Sequence, residues 1–112
     1  MIGEWLDIGW LHEIPVRGSR VVPVDGGDEI ALFRTGDGQV YALANRCPHK
    51  GGKLSEGIVH GRSVTCPLHG WAIALASGEA QGEDKGCTPV VPARVDAGRV
   101  LICRASTLKA AA

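Results

Sequence analysis

The chain predicts an all-β fold, a small antiparallel sandwich or barrel, and three observations carry that expectation. Its 112 residues include 16 Gly and six Pro, a turn-rich composition short of the helix formers that dominate long helices. Its apolar residues fall in short β-prone runs bounded by Gly, Pro and Asp. Several neighbouring runs are joined by the tight turns that close antiparallel hairpins. The length suits one domain spanning residues 1–112 and is too short for two.

Taken in order, Glu4 to Pro15 carries Trp5, Leu6, Ile8, Trp10, Leu11 and Ile14. It reads as an edge strand and an irregular turn, punctuated by Pro15 and Gly18. Ser19 to Val24 is a second strand, which Pro23 restricts to an edge or an end because proline donates no ladder hydrogen bond. Asp25-Gly26-Gly27-Asp28 is a turn. Glu29 to Arg34 and Gln39 to Ala44 form a hairpin across Thr35-Gly36-Asp37-Gly38, where glycine supplies the positive φ such loops need. Ile58-Val59 and Ser63-Val64-Thr65 form another around His60-Gly61-Arg62. Trp71 to Leu75 is a strand turned by Ser77-Gly78-Glu79, and Gln81 to Thr88 is a polar loop. Val90 to Val95 and Arg99 to Arg104 form the last hairpin around Asp96-Ala97-Gly98, and Ala105 to Ala112 is expected to fray.

Charge excludes some functions. Lys plus Arg and Asp plus Glu number twelve each, so no general electrostatic attraction to nucleic acid or an anionic membrane is expected. The N-terminus, Met1-Ile2-Gly3-Glu4, shows no export signal and no stretch approaches a membrane span, which predicts a soluble, cytoplasmic protein. In such a compartment four Cys point to metal or reactive chemistry rather than disulfides.

Two of those Cys sit in matched boxes. Cys47-Pro48-His49-Lys50-Gly51-Gly52 is followed, with sixteen residues between His49 and Cys66, by Cys66-Pro67-Leu68-His69-Gly70-Trp71. Each box offers one thiolate and one imidazole, giving a four-ligand metal site split over two loops. Structural zinc also takes two Cys and two His, but it pairs Cys with Cys and His with His, whereas each box here is mixed.

This Cys-x-His and Cys-x-x-His pattern resembles the two cluster-binding boxes of Rieske proteins. The resemblance implies that Cys47 and Cys66 hold one iron of a [2Fe-2S] cluster and that His49 and His69 hold the other. It also implies a Rieske-type antiparallel sandwich or barrel with a cluster-binding lobe, about Asn45 to Trp71, inserted at one end. Neutral imidazoles in place of thiolates make such a cluster easier to reduce. Pro48 and Pro67 would stiffen the loops, Trp71 would pack beneath the second, and Arg46, Lys50 and Lys53 would form a solvated rim able to meet an acidic partner.

Respiratory Rieske proteins bridge their ligand loops with two further Cys and place a hydroxyl just after the second box. Gly52, Leu68 and Trp71 stand there instead, which implies a potential near the low end of the family's range of about −150 to +300 mV. Arg46 to Gly52, Leu54 to Val59, Ser77 to Ala80, Gly86 to Pro89 and Pro92 to Val95 resemble the small subunit of assimilatory NAD(P)H-dependent nitrite reductase. Lys53 and Ala74 depart from that pattern, where Pro and an acidic residue are common. The resemblance implies one-electron relay beside a large subunit that carries flavin, siroheme and an iron-sulfur cluster and reduces nitrite to ammonia. Two other function classes stay open: a free-standing Rieske ferredoxin of an aromatic-ring dioxygenase, and a zinc or apo interaction module. Cys87 and Cys103 are expected to be small buried hydrophobes, and His12 and His60 surface residues.

Overall fold

A computed structural model describes residues 5–23, 29–47, 52–68, 70–81 and 86–103. The turn at Asp25–Asp28, the side chains of His49, Lys50 and His69, and the tail from Ala105 lie outside the described residues.

The hairpin of β3 (Glu29–Arg34) and β4 (Val40–Ala44) is the centre of the molecule. Successive side chains of a strand point to opposite faces, and both faces of this hairpin are covered. Ile30, Leu32 and Ala42 enter one core, whereas Ala31, Phe33 and Leu43 enter the other. A strand buried on both sides must be apolar at consecutive positions, which is why Ile30 to Phe33 shows no polar alternation.

The flanking strands complete a four-stranded antiparallel sheet in the order β2-β3-β4-β8, with β2 at Gly18–Pro23 and β8 at Val90–Val91. As expected, β2 is an edge and Pro23 is its last residue. A three-stranded sheet packs over one face in the order β1-β10-β9, from Trp5–Trp10, Arg99–Cys103 and Ala93–Asp96. Val100 and Ile102 of β10 meet Ile30, Leu32, Ala42, Val91 and Ile14 in that core. The other face carries a third sheet, β5-β6-β7, built from Ile58–His60, Ser63–Thr65 and Ala72–Ala74. Val59, Val64 and Ile73 bring its inner side against Phe33 and Leu43.

The predicted last strand from Val90 to Val95 is two strands. Val91 pairs with Ala42 in the middle sheet, while Ala93 pairs with Ile102 in the outer one. Pro92 lies between them; it has no N–H to continue a ladder, and its carbonyl accepts from Cys103 N at 3.0 Å. The turn at Ala97-Gly98 takes positive φ at both residues, 51° and 81°, the geometry of a tight two-residue hairpin.

The inserted lobe runs past its expected end at Trp71. Its sheet includes β7, and bridges Ile73↔Ala80 and Glu79↔Cys87 extend it further. Cys103 is buried as expected, but Cys87 is exposed; among the described residues its strand pairing is this outermost bridge.

Candidate metal centre

Cys47 and Cys66 end at the same place. Each is 2% exposed, and both belong to the core between the middle sheet and the lobe, with Leu54, Phe33, Val64 and Ile73. Cys47 arrives directly from β4, and its N–H donates to Gly52 O at 2.7 Å, which folds the first loop back on itself. Cys66 follows β6, and its N–H donates to Trp71 O at 2.7 Å while its carbonyl accepts from Gly70 N at 3.1 Å. Gly70 takes a φ of 73°, the left-handed region that suits glycine.

The two loops meet at Gly52. A Cβ built there would lie 3.3 Å from Cys66 Sγ and 2.6 Å from Leu68 Cδ1, so a side chain at this position would press into the space beside the second thiol. Only the second loop is a hairpin tip, between the paired strands β6 and β7. The first loop joins β4 of one sheet to β5 of another, and a 3₁₀ turn at Leu54–Glu56 ends it. Leu54 is fully buried and anchors that turn in the core.

Among the described residues no three His, Cys, Asp or Glu side chains gather as a metal site. The two expected imidazoles, His49 and His69, lie outside those residues. The described half of the donor set does fit a cluster: two buried thiols on facing loops, with a glycine where the loops touch.

Sequence reasoning gave Asn45, Ser55 and Thr88 no role. Asn45 is 8% exposed and ties the first loop's two ends together, its Oδ1 accepting from Ser55 N at 2.8 Å. Thr88, 3% exposed, donates to Ala44 O at 3.4 Å and thereby holds the lobe's return strand against β4. Buried polar residues of this kind follow no sequence spacing, so only the folded chain reveals them. At the rim Arg46 is exposed, and Lys53 Nζ lies 3.8 Å from Glu29 Oε1. His60 is exposed as expected, with Nε2 at 2.6 Å from Thr65 Oγ1, and Trp71 packs against the lobe core.

A family model described as the Rieske [2Fe-2S] domain matches residues 4–93. The chain belongs to this family. Its cofactor is a Rieske-type [2Fe-2S] cluster, and it is an electron-transfer domain of an oxidoreductase system. The ferredoxin component of the naphthalene 1,2-dioxygenase system of Pseudomonas aeruginosa is 33% identical over 108 residues, 91% of this Rieske chain and 97% of the relative. A Mycobacterium tuberculosis structure described as the small subunit of an NADH-dependent nitrite reductase is 33% identical, with a TM-score of 0.83 over 93% of this chain and 97% of that one. A ferredoxin complexed with the oxygenase of carbazole 1,9a-dioxygenase is 29% identical, with a TM-score of 0.79 over 88% and 92% of the two chains. No helix among the described residues is long and apolar enough to cross a membrane.

Proposed function

We propose that this Rieske chain is the electron-transfer small subunit of a cytoplasmic, assimilatory NAD(P)H-dependent nitrite reductase, a single domain over residues 1–112. Cys47 and Cys66 hold one iron of its cluster and His49 and His69 the other. The observation that carries the reading is the likeness to the Mycobacterium tuberculosis structure, 33% identical over 93% of this chain, joined to the five stretches of sequence that resemble nitrite reductase small subunits. Two of those stretches form one strap. Thr88 N donates to Gly78 O at 2.8 Å and Ala80 N to Gly86 O at 2.9 Å. A Cβ on Gly78 would come within 2.2 Å of Thr88 O, so glycine is needed there.

A [2Fe-2S] cluster held by Cys47, His49, Cys66 and His69 would supply one-electron transfer. The residues of the chain would hold it and keep water from the thiol side, where Cys47 and Cys66 are buried. The partner is a large subunit carrying flavin, siroheme and an iron-sulfur cluster, and nitrite reduction takes place there.

The second reading is a free-standing ferredoxin for an aromatic-ring dioxygenase, favoured by the Pseudomonas aeruginosa relative of nearly the same length. The test is to isolate the tagged chain from nitrate-grown cells and assay nitrite-dependent NAD(P)H oxidation. A stable complex with that activity supports the nitrite reductase reading. A chain that isolates alone, and supports turnover only when an oxygenase and its reductase are added, overturns it in favour of the ferredoxin. The ligand set is tested separately: Cys47→Ser, His49→Ala, Cys66→Ser and His69→Ala should each abolish the reduced-state Rieske paramagnetic signal.

A further inference from the structure

We propose that Asn45 is the positioning residue of the first ligand loop: its carboxamide closes residues 45–55 into a ring and thereby sets where Cys47 is held. The proposal rests on the reading of Cys47 as a cluster ligand.

The carboxamide is saturated by its neighbours. Nδ2 donates to Glu29 Oε1 at 3.1 Å and to Ser55 Oγ at 3.0 Å, using both of its hydrogens. Oδ1 accepts from Ser55 N at 2.8 Å. Reversing the amide would set its oxygen against the Glu29 carboxylate and its N–H₂ against the Ser55 N–H, so the network admits one orientation.

Both ends of the ring are also tied to the middle sheet. Asn45 N donates to Glu29 O at 3.0 Å, and Ser55 O accepts from Ser19 Oγ of β2 at 2.7 Å. Ser55 therefore spends its amide, hydroxyl and carbonyl on three contacts, and the adjacent Leu54 is fully buried. Lys53, unusual for the nitrite reductase pattern, sits 3.8 Å from the same Glu29 oxygen that receives Asn45. Cys47 lies two residues beyond Asn45, with its own N–H bonded to Gly52 O inside the ring. Little chain is available to absorb a shift at Asn45 before it reaches the thiol.

The test uses the cluster-loaded chain. Asn45→Ala should speed iron release to a chelator by about tenfold, the low end for residues that orient a metal ligand, and should shift the g-values of the reduced cluster. Asn45→Asp combined with Glu29→Gln exchanges donor and acceptor across the contact and leaves net charge unchanged; it should recover both readouts. A wild-type release rate and spectrum in Asn45→Ala, even with a lower Tm, would mean that Asn45 only stabilises the fold. Failure of the exchanged pair to recover them overturns the proposal equally. If Asn45→Ala does not fold, Ser55→Ala removes a single hydroxyl from the ring and the same readouts decide. Cys47→Ser separates the two readings, since an intact signal there would instead remove Cys47 from the ligand set.

Discussion

Leu68 occupies the space that a side chain on Gly52 would need. A Cβ on Gly52 would lie 2.6 Å from Leu68 Cδ1 and 2.8 Å from its Cγ. The loops that carry Cys47 and Cys66 are thus in van der Waals contact at the positions where respiratory Rieske proteins carry a bridging Cys pair. A packed contact replaces a covalent one.

Gly52→Ala should therefore destabilise the loaded protein by about 1–3 kcal/mol, the usual range for overpacking. Leu68 is 53% exposed, so its own truncation costs little, and adding Leu68→Ala should recover most of the loss. Denaturant unfolding of the two single variants and the double variant gives the coupling. A coupling near zero would show that the clash is relieved elsewhere.

The two cores should separate in mutation. Leu54 and Leu32 are both fully buried, one in the core that includes Cys47 and Cys66 and the other between the middle and outer sheets. Each change to Ala should cost about 2–5 kcal/mol. Leu54→Ala should also alter the paramagnetic spectrum of the reduced cluster, whereas Leu32→Ala should leave the spectrum of the folded fraction as it is.

Asp7 makes the chain sensitive to acid. Arg99 donates to both of its carboxylate oxygens, at 2.8 and 3.0 Å, and these hydrogen bonds hold the Asp7 pKa below the usual carboxylate value. The unfolded chain then takes up this proton at a higher pH than the folded one. The contribution is present above the unfolded carboxylate pKa and is lost as pH falls through the lowered folded value. Asp7→Asn should flatten the acid limb of a stability-against-pH curve, which thermal unfolding at low salt measures.

Thiol reactivity should divide sharply. Cys87 is exposed, while Cys47, Cys66 and Cys103 are each 2% exposed. Brief alkylation of the native loaded protein should label Cys87 first, as mass spectrometry of peptides would show. Cys87→Ser should leave the reduced-state spectrum unchanged.

The reduction potential should fall toward the lower part of the family's range of about −150 to +300 mV. Trp71, at the position of a hydroxyl donor in respiratory proteins, gives its backbone carbonyl to Cys66 N at 2.7 Å. Protein-film voltammetry checks this, and a value near the top of the range would overturn the argument.

Much of this molecule is determined by short stretches of its sequence. Short β-prone runs and turn chemistry place the β3–β4 and β5–β6 hairpins, because strand propensity and the φ demands of tight turns are set by adjacent residues. The mixed Cys and His boxes indicate the cofactor, because ligand chemistry depends on residue type and spacing. Tertiary structure decided the rest. It divided Val90 to Val95 between two sheets at Pro92, left Cys87 exposed while burying Cys103, and turned Asn45 and Ser55 into the closure of the first ligand loop. Each of these outcomes depends on which distant strand supplies the neighbouring atoms, and that is settled only when the sheets pack.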